Sequence, residues 1–172
     1  VQWMSGTSMS CPAAAGFAAL VRQYYEDGFY PSGVSSSADA FNPSAALVKA
    51  TLINSAVEMT DEPAIPSDVQ GWGRILLDKA LHFDGDTQML WVSDEFSFEN
   101  GSSGEEDVFD FKLKSSEDPF KVTLVWTDYP STTAANPHLN NDLDLAVSGP
   151  GGEQWFGNVF SGGESQTGGS QD

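Results

Sequence analysis

The chain has 172 residues and sets 25 Asp+Glu against seven Lys+Arg, a formal net charge of -18. That balance excludes nucleic acid as a partner, because binding there needs cationic groups to displace counterions, and it disfavours anionic membrane surfaces for the same reason. A 40% hydrophobic, 12% aromatic composition calls for a packed core. No apolar run approaches the about 20 residues that span a bilayer, and a single cysteine, Cys11, rules out an internal disulfide framework.

In chain order, Met9, Ala13, Phe17, Leu20 and Tyr24 recur at three-to-four-residue spacing and predict a helix from about Ser8 to Tyr25. Pro12 is expected in or near its first turn, where the missing N–H costs little. Ala14, Ala15, Gly16, Ala18 and Ala19 leave almost no polar face before Arg22, so this helix is expected to be buried nearly all round, with Cys11 a small hydrophobe facing the core. Gly28 to Phe41 reads as a Ser-rich surface loop. A second helix is expected from about Pro43 to Ala56, with Asn42 as N-cap and Pro43 as first helical residue. Residues 71–81 read as a short strand and a closing helical turn.

Near Asp84 the Ala-rich, helical pattern gives way to short alternating apolar segments split by Gly, Ser, Asp and Asn, which divides the chain into residues 1–84 and 85–172. Strands are expected at Gln88–Val92, Glu106–Lys112, Phe120–Thr127, Leu143–Ser148 and Gln154–Phe156. Pro150-Gly151-Gly152 turns the last two into a hairpin. Five strands without a helix predict a sandwich or jelly roll, with Trp91, Phe96, Phe98, Phe109, Phe111, Phe120, Trp126, Trp155 and Phe156 mostly inward. The tail from Ser161 to Asp172 is polar and Gly-rich and is expected to be a loop or frayed end.

Two places carry chemistry. Ser8, in Gly6-Thr7-Ser8-Met9-Ser10-Cys11-Pro12-Ala13, sits where a helix begins. There the positive end of the dipole and free N–H groups suit a developing oxyanion. The plain alternative is that Ser8 only caps a buried helix. The second place is Asn140-Asn141-Asp142-Leu143-Asp144. On a strand, Asp142 and Asp144 share a face opposite Leu143, Leu145 and Val147. Two such carboxylates repel unless solvated or bridged by a cation, and Ca²⁺, which takes about six to eight oxygen ligands, is the natural guest. Asp128 could converge on the same edge. The alternative is a solvated acidic strand. Trp3 is read as packing or a strand edge.

The Gly-Thr-Ser-Met segment followed by Pro12 resembles the nucleophile motif of the subtilisin-like serine peptidases, the subtilases. Pro43-Ser44 opening a helix that runs to Asn54-Ser55-Ala56, and then Gly71-Trp72-Gly73, match the same family in order. The resemblance implies an α/β fold, of which residues 1–84 are the mainly helical C-terminal portion of the catalytic domain. It makes Ser8 the catalytic serine and its backbone N–H an oxyanion donor. In this family the acid and base precede the serine, in the order Asp, His, Ser, as does an oxyanion Asn. Only seven residues precede Ser8, none of them Asp, His or Asn. Neither His82 nor His138 matches the family's base, so the isolated chain is expected to be inactive.

Val122 to Asp128, Asn141 to Leu145, Gly149-Pro150-Gly151-Gly152 and Gly157-Asn158 are similar to the C-terminal jelly-roll domain of the KP-43-type bacterial alkaline proteases. That likeness implies an all-β domain over 85–172, structural Ca²⁺ with Asp142, Asp144, Asp128 and Asn158 as ligands, and a truncated sheet at the chain end. The whole implies a fragment of a secreted, bacterial, monomeric serine endopeptidase acting on protein or peptide substrates. A non-catalytic jelly-roll binding protein with a decayed peptidase remnant is the alternative.

Overall fold

A computed structural model describes residues 4–95, 106–115 and 119–169. Helix α1 spans Thr7–Glu26 and α2 spans Ala45–Asn54. Strand β1 (Ala56–Val57) pairs antiparallel with β2 (Arg74–Ile75), and a 3-10 turn follows at Leu77–Lys79. Strands β3 (Ala146–Ser148), β4 (Gln154–Ser161) and β5 (Glu164–Thr167) form an antiparallel sheet in that order. No described helix is long and apolar enough to cross a membrane.

The core lies where the last turns of α1 meet α2 and the 77–82 segment. Val21, Tyr24, Tyr25, Leu47 and Leu81 are buried, with Phe29, Phe41, Leu52 and Leu77 packed against them. Burial of two tyrosines obliges their hydroxyls to find partners. Tyr24 donates to the His82 carbonyl at 2.7 Å, and Tyr25 Oη lies 3.1 Å from Thr51 Oγ1. Burial is also the main reason that the Tyr25 phenol is pushed up to about 12.

The first helix departs from expectation at its N-terminal half. Residues 7–13 are exposed, and Cys11 with them. Among the described residues the core partners of α1 meet its C-terminal turns, and of the Ala-rich stretch Ala14 and Ala18 are half-buried while Ala15, Gly16 and Ala19 are exposed. Pro12 falls in the second turn rather than the first, well inside the helix. Its missing N–H removes the donor that the Ser8 carbonyl would otherwise receive from four residues on.

The second helix begins later than its sequence suggests. Its N-cap is Ser44, not Asn42: the Ser44 hydroxyl accepts from Leu47 N at 3.0 Å. Asn42 is engaged elsewhere, taking a hydrogen bond from Arg22 Nη2 at 2.9 Å. Asp94 completes the cap, accepting from both Ser44 N and Ser44 Oγ. At the other end Lys121 Nζ donates to the Ala56 carbonyl at 3.1 Å and lies 3.5 Å from that of Asn54. An anion at the positive end and a cation at the negative end both complement the helix dipole.

Past Asp84 the chain stays attached to this core. Leu90 and Val92 pack on it, and Val92 N donates to Tyr30 Oη at 3.1 Å. The described parts of the second region contain far less strand than expected. Gln88–Val92, Glu106–Lys112 and Phe120–Thr127 form no ladder, and Leu143–Ser148 contracts to β3. A strand exists only with a partner to accept its backbone bonds, so an alternating pattern by itself is insufficient. The described residues do not show a jelly roll. Trp91, Phe109, Phe111 and Phe120 still touch, with ring centroids 4.7 to 5.6 Å apart. They are nonetheless exposed, each at 44% or more, rather than inward. Phe96 and Phe98, like Trp3, lie outside the described residues.

The tail reverses the expectation in the other direction. Gly162 and Gly163 both have positive φ, 62° and 85°, between the paired residues Ser161 and Glu164. A two-residue turn of that kind matches the natural strand twist and closes a hairpin, so 161–167 is ordered strand and turn. The expected hairpin at 149–153 is present, with Gly149 N donating to the Glu153 carbonyl at 2.8 Å. Phe160 of β4 packs edge-on against Trp72, with centroids 6.1 Å apart.

The cap assignment has a direct test. Ser44→Ala should cost about 1–2 kcal/mol in urea unfolding, the usual loss for a helix N-cap, whereas Asn42→Ala should cost less. The reverse order would place the cap at Asn42.

Candidate active site

Ser8 is the second residue of α1 and is exposed. The residue before the helix, Gly6, has φ 135° and ψ 167° and offers no side-chain cap. Its carbonyl takes the first two bonds of the helix, from Met9 N at 3.0 Å and Ser10 N at 3.2 Å. The N–H groups of the very first positions have no intrahelical acceptor by construction, and here no side chain supplies one. Among the described residues Ser8 therefore presents a backbone N–H and a hydroxyl side by side, both without a protein partner, at the positive end of a 20-residue helix. Capping is the role that Ser8 does not play, since the cap position belongs to Gly6.

Neither histidine approaches this arrangement by hydrogen bond. His82 is buried and engaged elsewhere: its Nδ1 lies 2.8 Å from the Gln88 carbonyl, and its own carbonyl accepts from Tyr24. His138 is exposed in the 136–141 loop. Ser8 thus has a free hydroxyl beside a free N–H at the helix start, and no described histidine hydrogen-bonds to it.

The acidic cluster is organised differently from the expectation. Asp128 accepts from Asn140 N at 2.7 Å, from Asn141 Nδ2 at 2.7 Å, from Tyr129 N at 2.9 Å and from Asn141 N at 3.2 Å. These bonds, led by that of the Asn140 backbone, hold the Asp128 carboxyl below its ordinary value of 3.8 against a smaller opposing effect of desolvation. Both oxygens are thereby used to close the 128–141 loop. Asp142 and Asp144 are exposed, and Asn158 sits in β4 with φ 63°. Among the described residues no three His, Cys, Asp or Glu side chains converge as a metal site would require.

Three positioning residues escaped the sequence. Asp94 and Lys121 hold the ends of α2, as above. Gln70 is buried and ties the 59–70 loop together, accepting from Met59 N at 2.9 Å and donating to the Pro63 carbonyl. Of these only Gln70 carried a signal, its place directly before Gly71-Trp72-Gly73.

Comparisons with known proteins bear on the segment that contains Ser8. Residues 1–73 match the Subtilase family. The relatives found extend beyond the matched segment. The chain is 38% identical over 148 residues to the "Serine protease/ABC transporter B family protein tagA" of Dictyostelium discoideum, covering 84% of this chain and 8% of that protein. It is 29% identical over 204 residues to tagD of the same description and organism, covering 95% of this chain and 11% of that one. The chain therefore spans about a tenth of the length of the curated relatives it matches. No solved structure matches it.

The Asp128 loop gives a pH prediction. A carboxyl whose folded value is depressed adds stability that is full above its unfolded value and is lost as pH falls through the folded one. Carbon-detected NMR titration should give Asp128 a midpoint below 3.8, moving up toward that value in Asn141→Ala. A midpoint at or above 3.8 in the parent would contradict the loop bonding.

Proposed function

We propose that this chain is the nucleophile-bearing portion of a subtilisin-like serine endopeptidase, and that Ser8 attacks the peptide carbonyl. The single observation that carries the reading is the unpartnered Ser8 hydroxyl beside its own free N–H at the start of α1, in the segment that matches the Subtilase family. In the reaction a histidine base takes the Oγ proton as the Oγ–C bond forms, and the carbonyl oxygen becomes an oxyanion. The Ser8 N–H and the helix dipole stabilise that charge where it develops. Collapse expels the amine, which carries the proton away, and leaves an acyl-enzyme that water hydrolyses. Base, acid and the second oxyanion donor come from elsewhere in the parent protein, so the 172 residues are inactive in isolation.

Secretion was the expectation for such a parent. The names of the relatives favour a second form, a peptidase carried in one polypeptide with an ABC transporter. Structural Ca²⁺ at Asp142 and Asp144 belongs to the same proposal and rests on the acidic strand pattern alone.

The full-length protein should be labelled covalently by a fluorophosphonate probe, and Ser8→Ala should abolish the label. Labelling that survives this substitution would falsify Ser8 as nucleophile. Calorimetric titration with Ca²⁺ should show saturable binding that disappears in Asp142→Ala plus Asp144→Ala; binding unchanged in that variant would remove both residues as ligands.

A further inference from the structure

Away from Ser8, at the opposite end of α1, three rings cluster. Tyr24 stacks on Phe29 with centroids 5.7 Å apart at 16°, and Phe83 meets both edge-on at 5.4 and 5.5 Å. With Leu20, Leu77 and Leu81 they line an open groove of about 320 Å³ whose polar rim is Gln23, Asp27 and Asp78. Leu20 is 52% exposed and Phe83 40%, so apolar surface is available in the groove.

The electrostatics of this end are one-sided. α1 finishes on Glu26 with Asp27 as its C-cap and has no basic residue in its last turn, which puts two carboxylates at the negative end of a helix dipole, the unfavourable arrangement. Arg22 offsets Glu26 at 2.7 Å. The Asp27 carboxylate receives only the neutral Gln23 amide, at 3.1 Å, and among the described residues no cation pairs with Asp78. Aromatic faces add attraction for a cation, and aliphatic walls suit the methylene stem of Lys or Arg. A volume of this size holds one or two side chains, at the lower limit of ligand pockets.

We propose that this groove docks a basic peptide segment, seating one Lys or Arg against Asp27 and Asp78 with an aliphatic neighbour on Leu20 and Phe83. The role is independent of peptidase activity, since none of these residues belongs to the Ser8 site.

The test uses the full-length protein carrying Ser8→Ala, so that cleavage cannot consume the probe. Fluorescence anisotropy compares a labelled peptide of alternating Leu and Lys with the same peptide carrying Glu at each Lys. The Lys peptide should bind and the Glu peptide should not. Asp27→Asn plus Asp78→Asn should weaken binding about tenfold, the scale of losing a partly desolvated cation contact, and Leu20→Asn should weaken it as well. Asp78→Asn alone keeps the test valid if the double variant unfolds, because Asp78 is exposed and makes no hydrogen bond among the described residues. The same charge change at Asp39 and Asp61, outside the groove, should leave affinity unchanged. Equal loss from that control pair would reduce the effect to net charge and overturn the site, as would equal binding of the Glu peptide or no binding of the Lys peptide.

Discussion

The described structure hangs on two adjacent buried tyrosines. Tyr24 and Tyr25 point from consecutive positions near the end of α1 into different neighbours, one reaching the His82 backbone and the other Thr51 on α2. Their rings supply much of the apolar burial, and an unmet hydroxyl there would cost about 1–3 kcal/mol. The partners are therefore constrained along with the rings. Thr51 is itself tied to the Leu47 carbonyl at 2.9 Å, so the tyrosines fix the C-terminal turns of α1 against both α2 and the 77–82 segment. Residues 7–13 of α1 are exposed and extend beyond this packed end.

Helix continuity is what orients Ser8. The serine lies some four turns from the packed end, and its position is set by the rigidity of α1 rather than by contacts of its own. Gly6 matters in the same chain of cause. By taking a conformation open to glycine and offering no side chain, it starts the helix without consuming the N–H groups of the first turn. A Ser or Asp there would cap the helix better and would compete for the donors that an oxyanion needs.

The second helix shows how the two regions depend on each other. Asp94 and Lys121 come from beyond residue 84, and they neutralise the two ends of α2 with opposite charges. Lys121 is partly desolvated in doing so, and burial lowers its ammonium below the ordinary value, with Lys79 adding to the effect. The chain beyond residue 84 thus reaches α1 through α2 and through the core contacts of Leu90 and Val92.

The sequence by itself determined the two helices, the hairpin at Pro150-Gly151-Gly152 and the place of Ser8. These rest on local physics: 3.6-residue periodicity, the fixed φ of proline, positive φ at glycine, and the peptide dipole. It was misleading where the outcome depends on a partner distant in the chain. Asn42 is a good N-cap in isolation, but Arg22 takes its side chain, and Ser44 with Asp94 caps instead. Alternating apolar residues over 106–112 and 120–127 specify a face without specifying a neighbour, and no ladder forms in either stretch, whereas the polar tail pairs because Gly162-Gly163 return it onto β4. Asp128, Asp142 and Asp144 look like one cluster in the sequence. Only tertiary structure decides that Asp128 spends its oxygens on the amides of Asn140, Asn141 and Tyr129, because a carboxylate surrounded by fixed N–H donors is already satisfied.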